Sequence, residues 1–323
     1  MKKYNWAIVG TGVIGNEMAR ALKQENGEIY GVYNHHMEKG QAFAREYGVR
    51  EVFESEEALL ADPEVDVVYI GTPHNYHYDT LMRAVKAGKH VFCEKAITVN
   101  SGQLEEVAAS ASQKGLVVME GMTIYHMPLY QKLREIVDSG AIGRVKMIQV
   151  NFGSCKEYDV KNRFFDKALA GGALLDIGIY AMAFARFFMD SKPNVILTTP
   201  QYFETGVDEQ SGIILKNDRG QMAVTALTMR AKQPKRGVVA GEFGYIEVDN
   251  YPRAQRAVIT YTIDGRREEI EAGITGDALC YEVRHMQEAI ERKAGITPLA
   301  LSRDVMEILT AVRSQWGMRY PFE

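Results

Sequence analysis

The sequence predicts an α/β protein in two parts: a parallel sheet covered by helices over residues 1–122, then an α/β part with a mostly antiparallel sheet over residues 123–323. Three observations predict it. Short, fully apolar runs alternate with helical segments through the first part, the pattern of parallel strands buried on both faces. Three glycines spaced G-x-G-x-x-G, namely Gly10, Gly12 and Gly15, follow the first such run directly and open a helix. After about residue 123 the rhythm changes to β-type runs punctuated by Gly, Asp and Asn, as in "KNDRG" and "IDGRR".

In order, Tyr4–Val9 reads as strand, Ile14–Gln24 as helix, Ile29–Tyr33 as strand and Glu38–Tyr47 as helix. A short strand near Val52 and a short helix over Glu56–Leu60 follow. "VDVVYIGTP" (Val65–Pro73) is an apolar strand that stops at a Gly-Thr-Pro turn, and Tyr78–Ala87 is a helix ended by Gly88. "HVFCEK" is strand, Ser101–Gln113 helix and Leu116–Met119 strand. In the second part Leu129–Asp138 and Leu174–Phe188 read as helices. Strands are expected at Val145–Phe152, Val195–Phe203, Ser211–Leu215, Met222–Leu227, Tyr245–Val248, Arg256–Thr262 and Glu268–Ile270. Helices at Tyr281–Lys293 and Ser302–Trp316 close the chain, the last of them expected to pack back on the first part.

Composition narrows the function classes. With 46% hydrophobic and 25% charged residues the chain can bury sizeable cores. A formal net charge of −4 gives no reason to expect nucleic acid or an anionic membrane as a partner. No apolar run reaches the roughly 18 residues of a membrane span. Cys93, Cys155 and Cys280 lie far apart with no C-x-x-C pair, so reduced thiols and a cytoplasmic location are expected. The seven histidines form no H-E-x-x-H, and no metal is expected.

A strand–G-x-G-x-x-G–helix unit is the context in which this motif holds a dinucleotide. Gly10 makes the tight turn, Gly12 lets the backbone approach a pyrophosphate, and Gly15 lets helix and strand pack closely. Val13 and Ile14, in the first turn, put unpaired N–H groups beside the phosphates. The second strand ends in "VYNHH", where an acid would bind the 2′-hydroxyl of NAD. Asn34 and His35 are not acidic, and His35 or His36 can donate to a 2′-phosphate, so NADP or NAD is expected, with NADP preferred.

Three more stretches, "YIGTPHNYHYD" (Tyr69–Asp79), "HVFCEKAIT" (His90–Thr98) and "AGGALLDIGIYA" (Ala170–Ala181), resemble the glucose–fructose oxidoreductase/inositol dehydrogenase (Gfo/Idh/MocA) family across essentially the whole chain. The resemblance implies an N-terminal Rossmann dinucleotide-binding domain and a C-terminal α/β domain with a large open sheet. It places Lys95 of Glu94-Lys95-Ala96 at the active site, with Ala96 where the family has proline. Asp176 matches the family's aspartate, and Tyr180 stands where many members have histidine, as in the dihydrodiol dehydrogenase-like branch. By the same resemblance Thr72, Pro73, His74, His77, Glu94 and Lys95 contact the cofactor, Tyr125 joins the substrate side, and Arg163 reaches the substrate or the cofactor.

The residues also suit the chemistry directly. On one continuous helix Asp176 and Tyr180 share a face at i and i+4. A lysine near a tyrosine favours its ionised form. Tyr180 is the first choice for acid/base, Lys95 for polarising the reacting oxygen, with the two roles exchangeable, and Asp176 for holding a substrate hydroxyl. The expected reaction is hydride exchange between a nicotinamide and the hydroxyl or carbonyl carbon of a sugar, cyclic polyol or dihydrodiol. A non-catalytic, dinucleotide-sensing regulator of the same fold is the alternative, and an imine reductase shares the cofactor. A homodimer, or a tetramer of dimers, is expected through the second sheet.

Overall fold

The computed structural model describes residues 3–25 and 27–323. The first part runs β1 (Asn5–Val9), α1 (Val13–Gln24), β2 (Glu28–Tyr33), α2 (Met37–Tyr47), β3 (Glu51–Val52), α3 (Glu56–Ala61), β4 (Val67–Ile70), α4 (His74–Lys86), β5 (His90–Glu94), α5 (Ser101–Lys114) and β6 (Val118–Gly121). Its six strands are all parallel in the order β3-β2-β1-β4-β5-β6. The order reverses direction between β1 and β4, and such a switch point opens a crevice at the carboxyl ends of the strands. β4 is buried along its length and β1 from Trp6 to Val9, which is why they read as continuous apolar runs.

Helix α4 begins at His74, four residues before the start expected from the pattern. Pro73, with φ −61° and ψ 152°, is its N-cap, and the aromatic run "NYHY" hid its first turn. His74, Asn75 and His77 therefore stand on a helix rather than in a loop.

The second part contains α6 (Pro128–Asp138), β7 (Val145–Gly153), a π-helical turn over Leu174–Gly178 that runs into α7 (Ile179–Phe188), then β8 (Val195–Tyr202), β9 (Asp208–Lys216), β10 (Met222–Thr228), β11 (Gln233–Gly241), β12 (Gly244–Asp249), β13 (Arg256–Tyr261) and β14 (Arg267–Glu271). These strands form an eight-stranded sheet in the order β14-β13-β12-β11-β7-β10-β9-β8. Every neighbouring pair is antiparallel except β7 with β10. Strand β11 was not expected: "QPKRG" combines a proline, two cations and a glycine, which reads as a loop. Its glycine is a packing device. A Cβ on Gly237 would lie 2.3 Å from the Phe184 ring, so the absent side chain lets α7 lie flat on the sheet.

The chain ends with α8 (Ala278–Glu291) and α9 (Ala300–Trp316). Two compact units result: Met1–Gly121 with Asp277–Ser302, and Met122–Gly276 with Arg303–Glu323. Helix α8 and the first residues of α9 thus belong to the first unit, and the rest of α9 to the second. Arg284 on α8 donates to both carboxylate oxygens of Glu25 at 2.5 and 2.7 Å, whereas α9 is held in the second unit by Asp304, which accepts from Arg186 at 2.7 Å. The stretch 167–188 is long and apolar enough to cross a membrane, with a mean hydropathy of 1.7, a correction to the reading of no such run. It is 78% buried inside the protein, the environment of a core helix.

Candidate active site

In the first unit the glycine loop is built by main-chain geometry. Gly10 has φ +97°, and a Cβ there would lie 2.9 Å from the Gly71 carbonyl oxygen. A Cβ on Gly15 would meet the Gly10 carbonyl oxygen at 2.4 Å, so α1 can start only where that side chain is missing. Gly12 differs: a Cβ would meet nothing within 4 Å. Gly12 is also the N-cap of α1, with no side chain bonding the first turn, and Val13 beside it is 80% exposed. Ile14 is half-buried and Gly15 buried. Open space over uncapped N–H groups fits a pyrophosphate.

At the end of β2, Asn34 bridges two turns. Its amide donates to Thr11 Oγ1 at 2.6 Å, and its Oδ1 accepts from the His36 N–H at 2.9 Å. Gly10, Asn34, His35, Thr72 and Pro73 come together around a cavity of about 430 Å³. Glu56, Glu57 and Arg83 also line it, unmarked by any motif in the sequence. Arg83 pairs with Glu56 and Glu57, at 3.0 Å each.

The turn after β5 is gripped by histidines. The buried His77 ring lies between the Ala96 and Thr72 carbonyls, 2.8 Å from each, and His74 Nε2 lies 3.2 Å from the Lys95 carbonyl oxygen. His77 therefore shapes this turn from beneath. Glu94, also buried, accepts from the Tyr69 hydroxyl at 2.8 Å. Sequence reasoning missed Glu120. It is buried, accepts from the Ile97 N–H at 3.0 Å, and has its pKa raised by burial against the opposing pull of Ser302, Ile97 and the Lys95 charge. Its place at the end of a strand beside Lys95 was the available signal.

In the second unit the motif "GGALLDIGIY" is bent. Gly172, at φ +115°, lies outside the helix, and a Cβ there would strike Asp208 Oδ1 at 2.2 Å. Asp208 accepts from the Leu174 N–H at 2.7 Å and is fully buried. Desolvation pushes its carboxyl up to about 7, partly offset by that N–H. Asp176 sits in the π turn and Tyr180 in α7, so the i, i+4 spacing of a single α-helix does not describe the pair. Asp176 is 9% exposed. Tyr180 is half-buried and lines a cavity of about 750 Å³ with Phe152, Lys235, Asn250 and Arg253. Its ring centre is 6.1 Å from that of Phe152.

The other two substrate-side candidates lie elsewhere. Tyr125 stacks on Phe187 at 6.5 Å, two turns along α7 from Tyr180. Arg163 is exposed and lies over the Phe164 ring at 4.3 Å. Neither lines the Tyr180 cavity.

Comparison with known proteins identifies the family. Residues 4–122 match the model of an oxidoreductase family with an NAD-binding Rossmann fold, and residues 130–247 match the GFO/IDH/MocA C-terminal domain. The trans-1,2-dihydrobenzene-1,2-diol dehydrogenase of Xenopus laevis is 30% identical over 98% of this chain and 99% of its own length. The Homo sapiens protein of that name is 28% identical, with 98% of each chain covered. Among solved structures, levoglucosan dehydrogenase in complex with NADH and levoglucosan superposes with a TM-score of 0.89 at 19% identity, covering 98% of both chains. KijD10, a 3-ketoreductase from Actinomadura kijaniata in complex with NADP and TDP-benzene, gives 0.85 at 22% identity and 97% of both chains.

Proposed function

Because the chain belongs to the GFO/IDH/MocA oxidoreductase family and carries its NAD-binding Rossmann domain, we propose that it is an NADP-preferring dehydrogenase or reductase. Its substrate class is a sugar, cyclic polyol or dihydrodiol. The names of its relatives, a trans-1,2-dihydrobenzene-1,2-diol dehydrogenase, a 3-ketoreductase and a levoglucosan dehydrogenase, support that range. The bound dinucleotide supplies or accepts the hydride. The Tyr180 phenolic oxygen takes the hydroxyl proton in oxidation and returns it in reduction. The Lys95 ammonium donates to the reacting oxygen, and the Asp176 carboxylate accepts from a second substrate hydroxyl. The glycine loop, with Val13, Ile14, Asn34, His35, Thr72 and Pro73, holds the dinucleotide.

One observation carries this reading. Ile179 and Ala181–Ala185 on α7 are all buried, while Tyr180 between them opens onto a cavity. A tyrosine serving the core alone has no need of that opening. The test is Tyr180→Phe. Turnover of a sugar or dihydrodiol substrate falls by roughly 10²–10⁴-fold, and NADP affinity measured by calorimetry stays within about twofold. Near-full turnover in the variant would return Tyr180 to the core and leave Lys95 as the acid/base.

The outer face of the second sheet supports an assembly of two copies. Leu197, Ile214 and Val224 face one another across β8, β9 and β10 and are 58%, 37% and 38% exposed. Such a row supports pairing of two copies. Light scattering at micromolar concentration is expected to give at least a dimer mass, and a monomer opposes the proposal. A reducing, cytoplasmic setting suits the free cysteines Cys93, Cys155 and Cys280.

A further inference from the structure

Tyr251 carries a hydroxyl that the fold leaves unused. The residue is fully buried, and its hydroxyl has no hydrogen-bond partner among the described residues. Leaving a hydroxyl unpaired away from water costs free energy, and a phenylalanine would fill the same space without that cost.

The turn that presents Tyr251 is firmly held. It follows β12 and spans Tyr251–Arg253. The Asn250 N–H donates to the Lys235 carbonyl at 2.7 Å. The Tyr130 hydroxyl donates to the Tyr251 carbonyl, and the Thr123 hydroxyl to the Pro252 carbonyl. So anchored, the Tyr251 ring packs against two rings, its centre 5.3 Å from that of Phe184 and 6.0 Å from that of Phe152. Both rings are neighbours of Tyr180. Phe184 stands one turn along α7 from it, and Phe152 is the ring 6.1 Å from it. Asn250 and Pro252, on either side of Tyr251, line the Tyr180 cavity, while Tyr251 itself is buried.

Ionisable groups reach this spot from three elements. Tyr180 comes from α7 and Tyr130 from α6, where the Tyr130 hydroxyl is already engaged by the Tyr251 carbonyl. Lys235 comes from β11, its Nζ 4.7 Å from the centre of the Phe152 ring. Burial first, then the charge of Tyr180, raises the Tyr251 pKa well above the usual tyrosine value, so Tyr251 keeps its proton.

We propose that Tyr251 is a positioning residue for proton transfer: its hydroxyl donates a hydrogen bond to the phenolic oxygen of ionised Tyr180. The inference rests on the reading of Tyr180 as the proton-transfer residue. In oxidation the Tyr180 phenolate accepts the substrate's hydroxyl proton as the hydride leaves for the dinucleotide, and Tyr251 remains protonated throughout. Hydrogen bonds of this kind are often long in the resting protein and tighten in the reacting complex.

Two measurements on the full chain test it. The first needs no substrate. Tyrosinate absorbance is titrated against pH in the unmodified protein, Tyr180→Phe, Tyr251→Phe and the double variant. Subtracting curves that differ only at residue 180 isolates the Tyr180 phenol. Without the Tyr251 donor that phenol titrates about one pH unit higher or more, the size of one hydrogen bond to a charged group. An unmoved Tyr180 titration overturns the inference, whatever Tyr180 does in the reaction. The second follows oxidation with NADP of whichever of trans-1,2-dihydrobenzene-1,2-diol and glucose is turned over. Tyr251→Phe moves the kcat profile to higher pH by about the same amount, leaves KM within about twofold, and adds no further loss to Tyr180→Phe. A uniform loss at every pH, or a further loss in the double variant, overturns the inference. Thermal unfolding of Tyr251→Phe stays at or above that of the unmodified protein, because only an unpaired hydroxyl is removed. A lower Tm with an unmoved titration assigns the hydroxyl to the fold and overturns the inference. Undiminished turnover in Tyr180→Phe overturns the proton-transfer reading of Tyr180, with the hydrogen bond still decided by the titration.

Discussion

The glycine loop of the first unit and the Tyr180 cavity of the second are built from opposite materials. The loop works with the main chain. Gly10 and Gly15 exist to let backbones touch, Gly12 leaves a space open, and the groups offered to a ligand are peptide N–H groups. The cavity works with side chains brought from far apart. Tyr180 comes from a helix, Phe152 from β7, Lys235 from β11 and Arg253 from the turn after β12. A backbone site is specified by a few adjacent residues and is broken by adding atoms. A side-chain site is specified by long-range pairing and is broken by changing chemistry.

Substitutions in the loop give the largest expected contrast. Gly15→Val places atoms 2.4 Å from the Gly10 carbonyl, which neither backbone can avoid, so the variant fails to fold or loses several degrees in Tm. Gly12→Val meets nothing within 4 Å, so thermal unfolding stays near that of the unmodified protein. Dinucleotide affinity by calorimetry nevertheless falls by about 10²-fold or more, because the side chain fills the pyrophosphate position. A stable Gly12→Val with unchanged affinity would remove the backbone site from the comparison.

In the second unit the corresponding support is a buried acid. Burial raises the Asp208 carboxyl from the ordinary aspartate value of 3.8 to about 7 in the folded state. The folded state therefore holds a proton that the unfolded chain has released between those values. This contribution is fully present below about pH 4 and is lost as pH rises through about 7, at up to about 1.4 kcal/mol per pH unit. Asp208→Asn keeps an acceptor for the Leu174 N–H and lacks the titration. Urea unfolding from pH 4 to 8 is expected to show a flatter profile for the variant, and parallel profiles would deny the raised pKa.

The smallest expected effect is on cofactor choice. Asn34→Asp keeps the acceptor for His36 and can take a hydrogen bond from Thr11. Repulsion of a 2′-phosphate at about 4 Å costs roughly 1–4 kcal/mol, so NADP loses at least about fivefold relative to NAD. Competitive titration of the two dinucleotides measures it. Should the unmodified protein already prefer NAD tenfold, the absence of an acid at Asn34 has been misread.

What the sequence determined by itself is local. Period and punctuation mark the central strands of the parallel sheet, because strands buried on both faces are apolar and their turns need glycine or proline. The dinucleotide loop was legible for the same reason: strand, glycines and helix are contiguous. Lys95, Asp176 and Tyr180 were legible only through motifs. Tertiary structure decided the rest. β11 looks like a loop until β7 and β12 pair with it and Phe184 covers its glycine. The π turn ahead of α7 was not legible either, because Asp208, distant in sequence, accepts from the Leu174 N–H inside it. Glu120 and Tyr251 belong to no motif. Their meaning comes from a low-dielectric position and from neighbours distant in sequence, and electrostatic environment is a property of three-dimensional packing that residue order does not carry.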